Sequence, residues 1–176
     1  MRWLVDRYNV IRRAPELISR EQESLEAGRQ ALCALLAQVA RVSRDTFTVV
    51  FDGVEAGGRA GGGAGVTIVF SSARETADRV LAHMAREGGA VVSNDREVRR
   101  AAERAGAIVV TTDQFLARID QARSAPMEGL APEPEDDEEE PTPGPRKGNP
   151  RRLSKKDRAT KRALGRLGPG RSPHPR

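Results

Sequence analysis

Asp6, Asp52, Asp95 and Asp113 stand at or just beyond the ends of apolar runs, and Asp78 falls one turn into a helical pattern. Asp6 closes Trp3 to Val5 and Asp52 closes Thr46 to Phe51; Asp95 follows Ala90 to Val92 and Asp113 follows Ile108 to Val110. In open α/β sheets the functional crevice lies outside the carboxyl ends of the strands, so these acids are expected to converge. Crowded carboxylates repel one another unless a cation neutralises them. A hard divalent ion such as Mg²⁺ or Mn²⁺ prefers oxygen ligands and keeps several waters. Set against a phosphate, such an ion can activate a water and offset charge building on the phosphoryl oxygens. The chemistry expected is phosphodiester hydrolysis. The chain offers no obvious alternative nucleophile, since His83 lies in a helical pattern, His174 near the end, and Cys33 in an apolar helical stretch.

Each of these residues also has a structural reading. Asp95 and Asp113 have the residue type and placement of helix caps. Asp6 and Asp52 suit turns, as does Asn9, and Asp78 suits a solvated helix face. If the acids do crowd a metal, Asp6→Asn or Asp95→Asn is expected to abolish cleavage with the melting temperature unchanged or raised, because repulsion is relieved.

The elements that would position these residues alternate along the first 120 residues or so. Trp3 to Val5, Thr46 to Phe51, Val66 to Phe70, Ala90 to Val92 and Ile108 to Val110 read as strands. After Pro15, Ser19 three residues before Gln22 suggests a capping box, and Leu25, Leu32, Leu35, Leu36, Val39 and Val42 predict one long amphipathic helix. Further helices are expected over Glu75 to Arg86, stopped by Gly88-Gly89, over Asp95 to Ala105, and over Asp113 to Ile119. Unbroken apolar strands separated by helices indicate a mainly parallel sheet covered on both faces, a three-layer α/β sandwich. The glycine-rich stretch 53 to 65 predicts a mobile loop at its rim. It lacks the Lys-Ser/Thr ending of a phosphate-binding P-loop.

Charge is segregated. The net charge is +5, yet residues 1 to 127 carry 18 bases against 16 acids. Residues 128 to 140 hold 8 acids and no base, and residues 141 to 176 hold 12 bases and a single acid, Asp157. Frequent prolines beyond Ala125 and few apolar residues predict that 126–149 is a disordered acidic linker. A domain over 1–125 precedes it, and a basic tail over 150–176 follows. In that tail Leu153, Ala159, Ala163, Leu164 and Leu167 allow a short helix with Ser154 as its cap, marginal on its own. One cysteine excludes a disulfide framework. No apolar run approaches the ~20 residues of a membrane span, and the first residues lack a signal-peptide pattern, so a cytoplasmic location is expected.

Val5-Asp6-Arg7-Tyr8-Asn9-Val10-Ile11 resembles the opening motif VDGYNVI of the YacP-like branch of the NYN domains. Phe51-Asp52-Gly53, Glu75-Thr76-Ala77-Asp78 and Ser93-Asn94-Asp95-Arg96-Glu97-Val98 resemble its later motifs, in the same order. The resemblance implies a PIN-like nuclease fold in which Asp6, Asp52, Asp78 and Asp95 hold divalent metal and RNA is cut. It also implies that Asn9 helps hold Asp6 or a bound water. Asp113 matches no motif and is a secondary candidate for the metal. Arg7 replaces a glycine of the motif; glycine there answers either a special backbone angle or close approach of substrate. An arginine meets the second need by reaching for phosphate.

Arg7, Arg151, Arg152, Lys155, Lys156, Arg158, Lys161 and Arg162 are the expected RNA contacts, since dense cations bind phosphate backbones without regard to sequence. The partner expected is RNA, including ribosomal RNA, and not a membrane, because the basic segment lacks a bulky apolar face. A solvated tail is the bland alternative. For the domain, the rival reading is a non-catalytic RNA-binding or ribosome-associated module. Phosphohydrolases and receiver-like domains also carry strand-end aspartates, but Tyr8 breaks an Asp-x-Asp pair and no Lys precedes Lys147.

Overall fold

A computed structural model describes residues 1–51, 59–61, 63–72, 74–124 and 154–167, with the backbone alone at 59–61 and 124. Strand β1 (Arg2–Asp6) is followed by helices α1 (Arg7–Ile11), α2 (Pro15–Glu23) and α3 (Leu25–Ser43). Strands β2 (Thr46–Phe51), β3 (Arg59–Gly61) and β4 (Val66–Phe70) come next, then α4 (Ala77–Ala85), β5 (Ala90–Val92), α5 (Arg96–Arg104), β6 (Ile108–Val110) and α6 (Thr112–Ser124). Helix α7 (Lys155–Gly165) ends the described chain.

The strands form one sheet in the order β3-β4-β2-β1-β5-β6, parallel throughout except for β3 against β4. Strand residues point alternately to the two faces, and an unbroken apolar run therefore feeds two cores. Trp3, Val5, Phe47, Val49, Phe51, Ala90 and Val92 join α1, α2, α3, α6 and α7 on one face. Leu4, Val50 and Val91 join Leu81, Met84 and Ala85 of α4 and Val98 and Ala102 of α5 on the other. The three-layer sandwich with a mainly parallel sheet is thus observed. Trp3 anchors the first core, its ring centroid 6.2 Å from Phe47 and 5.6 Å from Phe115.

Two local expectations are corrected. The long amphipathic helix is observed as α3 but starts later than Ser19: Ser24 is extended (φ −168°, ψ 155°) and caps it by accepting from Ala27 N–H, and α2 is a separate helix before it. Ser19 caps nothing; it lies inside α2, where its hydroxyl bonds the Pro15 carbonyl. The chain folds back closely here, because a Cβ on Gly28 would lie 2.9 Å from the Glu21 Cα. Within the glycine-rich stretch, Arg59–Gly61 pairs antiparallel with Val69, Ile68 and Thr67. Ladder hydrogen bonds outweigh the glycine entropy at that edge. Residues 52–58 and 62, the acidic linker, Arg151, Arg152 and 168–176 lie outside the described residues.

The basic helix is not isolated. Ser154 caps α7, as the sequence suggested, and Ala163 and Leu167 are buried in the first core. Thr160 donates to the Val109 carbonyl of β6, and Arg118 of α6 donates to the Leu164 carbonyl. Lys156 bonds Glu103 at 2.9 Å and holds that carboxyl below its usual range. Arg166 reaches the buried Asp45, which also accepts from Trp3 Nε1 at 2.9 Å and from the Met1 amino group. Asp45 therefore ties α7 to the start of β1. Among the described residues no helix is long and apolar enough to cross a membrane.

Candidate active site

The chain leaves β1 for β2 on one side and later returns, through α4, to β5 on the other. The strand order reverses at β1, so the crevice at the carboxyl ends of β1 and β5 is the expected binding place of an open α/β sheet. Asp6 ends β1 there, only 6% exposed, and Ser93 follows β5 fully buried. Asp6 also caps α1, its Oδ1 accepting from Asn9 N–H at 3.3 Å. Its Oδ2 accepts from Asn9 Nδ2 at 2.6 Å and from the Ser93 hydroxyl at 2.7 Å. Asn9 Nδ2 also lies 3.3 Å from the Ser93 oxygen. Three donors thus fix one carboxylate across a parallel strand pair. With about four lone-pair sites on a carboxylate, Asp6 keeps acceptor capacity for a further ligand.

Asp95 stands exposed at the start of α5, where its Oδ1 accepts from Glu97 N–H at 2.6 Å and Val98 N–H at 3.1 Å. It is a helix cap, which occupies one oxygen. Its own N–H donates to the Ser93 hydroxyl at 3.0 Å, so Ser93 couples Asp95 to Asp6. Asp113 lies in the first turn of α6, 3.3 Å from Arg13 and 3.0 Å from Asn94 Nδ2. Asn94 Oδ1 accepts from Thr112 N–H at 3.0 Å, which binds the β5 and β6 ends together. Asp78 is exposed in the first turn of α4. Asp52 lies outside the described residues. Among the described residues no three His, Cys, Asp or Glu side chains gather as a metal site would.

Arg7 departs from its expected role. Its guanidinium pairs with Glu21 of α2 and lies over Phe51, 5.6 Å from the ring centroid. The side chain turns inward, 15% exposed, instead of reaching for phosphate. The cause is the close α2–α3 packing at Gly28, which brings Glu21 within reach. Arg7 occupies the first residue of α1 and is not among the positive-φ positions, so its backbone makes no demand for glycine. The basic residues of α7 are the ones presented outward: Lys155, Lys156, Arg158, Lys161 and Arg162 are all exposed. Cys33 is buried, and burial pushes its thiol up, consistent with a packing role.

Ser93 is the residue that sequence reasoning left out. Its position just after β5 was the available signal, but a serine there reads as an ordinary turn former. Ser93→Ala is expected to remove one bond from Asp6 and one from the Asp95 N–H, costing roughly 1–3 kcal/mol of stability. It should also loosen the carboxylate, which comparison of thermal melts with cleavage rates will check. A groove of ≈ 730 Å³ lined by Arg13, Leu17, Leu35, Leu116 and Arg123 holds none of the candidate aspartates. Chemistry is better placed at the hydrogen-bonded Asp6, Asn9 and Ser93 cluster.

Comparison with known proteins fits this geometry. The model of the YacP-like NYN domain matches residues 3–159. The crystal structure of Rae1 (YacP) from Bacillus subtilis is similar in fold, with a TM-score of 0.57 and 24% identity over 69% of this chain and 74% of that one. A point mutant of the same protein gives 0.58 and 24% over 69% and 75%. Among curated proteins none matches the chain.

Proposed function

Because this chain belongs to the YacP-like NYN domain family, whose domains are of nuclease type, we propose that it is a divalent-metal-dependent endoribonuclease. The observation that carries the reading is the buried Asp6 at the strand-order switch, held by Asn9 and Ser93 with acceptor capacity to spare. The ligand atoms that Asp6 and Asp95 offer are carboxylate oxygens, with neither thiolate nor imidazole among them, which suits Mg²⁺ or Mn²⁺. Asp6 and Asp95 would hold the ion, with Asp52 and Asp78 completing the set by family resemblance; Asp113, paired with Arg13, is a secondary candidate. Bound there, the ion supplies Lewis acidity and a more acidic water.

The protein's own groups do the rest. Asn9 and Ser93 keep Asp6 in one orientation, and the cap bonds keep Asp95 at the start of α5. The exposed cations of α7 draw the RNA backbone towards the domain through salt-sensitive attraction. Because α7 is packed into the core, charge substitutions at Lys155, Arg158, Lys161 and Arg162 probe this role more cleanly than truncation. Ribosomal RNA is one substrate that such sequence-independent attraction would serve, in a cytoplasmic setting.

The test is cleavage of an RNA containing single-stranded and structured parts, with Mn²⁺, with Mg²⁺ and with EDTA. Cleavage is expected with either metal, with EDTA reducing it to background. Tight binding unaffected by metal, with no cutting in any condition, would instead identify a non-catalytic RNA-binding module.

A further inference from the structure

The chain has six aromatic residues, and five are packed away. Trp3, Phe47, Phe51 and Phe115 are buried, and Phe70 packs against the same core. Tyr8 alone of the six stands out, 52% exposed. It sits on α1 two residues after Asp6, in the short helix that Asp6 itself caps. Four residues on, Arg12 lays its guanidinium over the ring, 4.5 Å from the centroid. Residues four apart share a helix face, so ring and cation form one exposed unit on the helix that Asp6 caps.

An exposed tyrosine braced by a cation is suited to one kind of ligand. A nucleobase has a π-face that stacks on an aromatic ring whatever its identity, and its attached phosphate pairs with a nearby cation. A base can reach such a platform only when it is unpaired and splayed from its neighbours. We propose that Tyr8, braced by Arg12, is a stacking platform that seats an unpaired base of the RNA next to the Asp6 crevice. This rests on the nuclease reading for its substrate but not for its measurement. Tyr8 positions the strand and takes no part in the bond-breaking step.

The test uses the full chain, a short single-stranded RNA carrying one 2-aminopurine, and EDTA to prevent cutting. Wild type is compared with Tyr8→Phe, which keeps the ring, and Tyr8→Leu, which keeps apolar bulk without a π-face. Wild type and Tyr8→Phe are expected to quench the 2-aminopurine with Kd values within about twofold of each other. Tyr8→Leu is expected to lose the quench and to bind about tenfold more weakly, a size typical of one stacked base. With Mn²⁺ present the same loss should appear in KM more than in kcat. Equal quenching and affinity in Tyr8→Leu and wild type would overturn the proposal, as would an equal loss in both variants or a wild type that leaves the probe unquenched. Absence of cleavage by wild type would count against the nuclease reading alone, since the quench is measured without metal.

Discussion

Asp6→Asn is expected to lower RNA cleavage by more than ~100-fold, because it removes the negative charge from the residue best placed to hold a divalent ion. Loss of an outer-shell partner already costs a metal site about 10–100-fold, and Asp6 is proposed as a direct ligand. The folded state should survive, though not unchanged. Asp6 accepts from Asn9 N–H, Asn9 Nδ2 and the Ser93 hydroxyl. An amide offers a single acceptor oxygen in their place. With its NH₂ towards Asn9 Nδ2, two donors face each other; flipped over, it leaves the Asn9 N–H without a partner. Either arrangement orphans at least one donor, at roughly 1–2 kcal/mol. The melting temperature should fall by about 3–8 °C, which a thermal scan will show. This reverses the expectation of an unchanged or raised melting point. That expectation assumed crowded acids, whereas among the described residues Asp6 is surrounded by donors. Activity near wild type in a folded Asp6→Asn protein would remove Asp6 from the mechanism.

Asp45→Ala is expected to cause the largest loss of stability, and with no change in the chemistry of the crevice. Asp45 is 2% exposed and serves Trp3 Nε1, the Met1 amino group and Arg166 together. Removing it leaves the indole N–H buried without an acceptor and takes the counter-charge from two cations. Breaking a buried pair in this way costs about 3–5 kcal/mol. For a domain of this size that lowers the melting temperature by roughly 10 °C or more. Arg166→Ala supplies the comparison. Its side chain is 55% exposed, so it should cost no more than ~1 kcal/mol, mainly by loosening α7. Both values follow from urea unfolding monitored through Trp3. Equal effects from the two substitutions would mean that Asp45 acts only as an anchor for α7.

Much of this protein was legible in its residues. Thr46–Phe51 and Val66–Phe70 read as strands from β-branched and aromatic content and are observed with those same bounds. Unbroken apolar runs require burial on both faces, and the division of β1 between Trp3 and Val5 on one side and Leu4 on the other bears this out. The motifs around Asp6 and Asp95 carried the family, and strand-end placement put both at one edge of the sheet.

What the sequence did not determine are the contacts between residues far apart in it. Ser93 joins Asp6 across 87 positions, and Asp45 meets Arg166 across 121; neither pairing follows from any local period. The start of α3 is of the same kind, because Ser19 and Ser24 are both plausible caps by residue type, and the fold puts the extended residue at Ser24, with α2 packed back on α3 at Gly28. Arg7 belongs here too, since the fold brings Glu21 and Phe51 to it and satisfies a charge that the sequence left pointing at RNA. The basic helix is marginal alone and becomes part of the core once Ala163 and Leu167 find the sheet. Periodicity and residue type fix which side chains must be buried and which strand ends carry acids. Which partners those side chains meet is decided by strand order and helix crossing, properties of the assembled sheet.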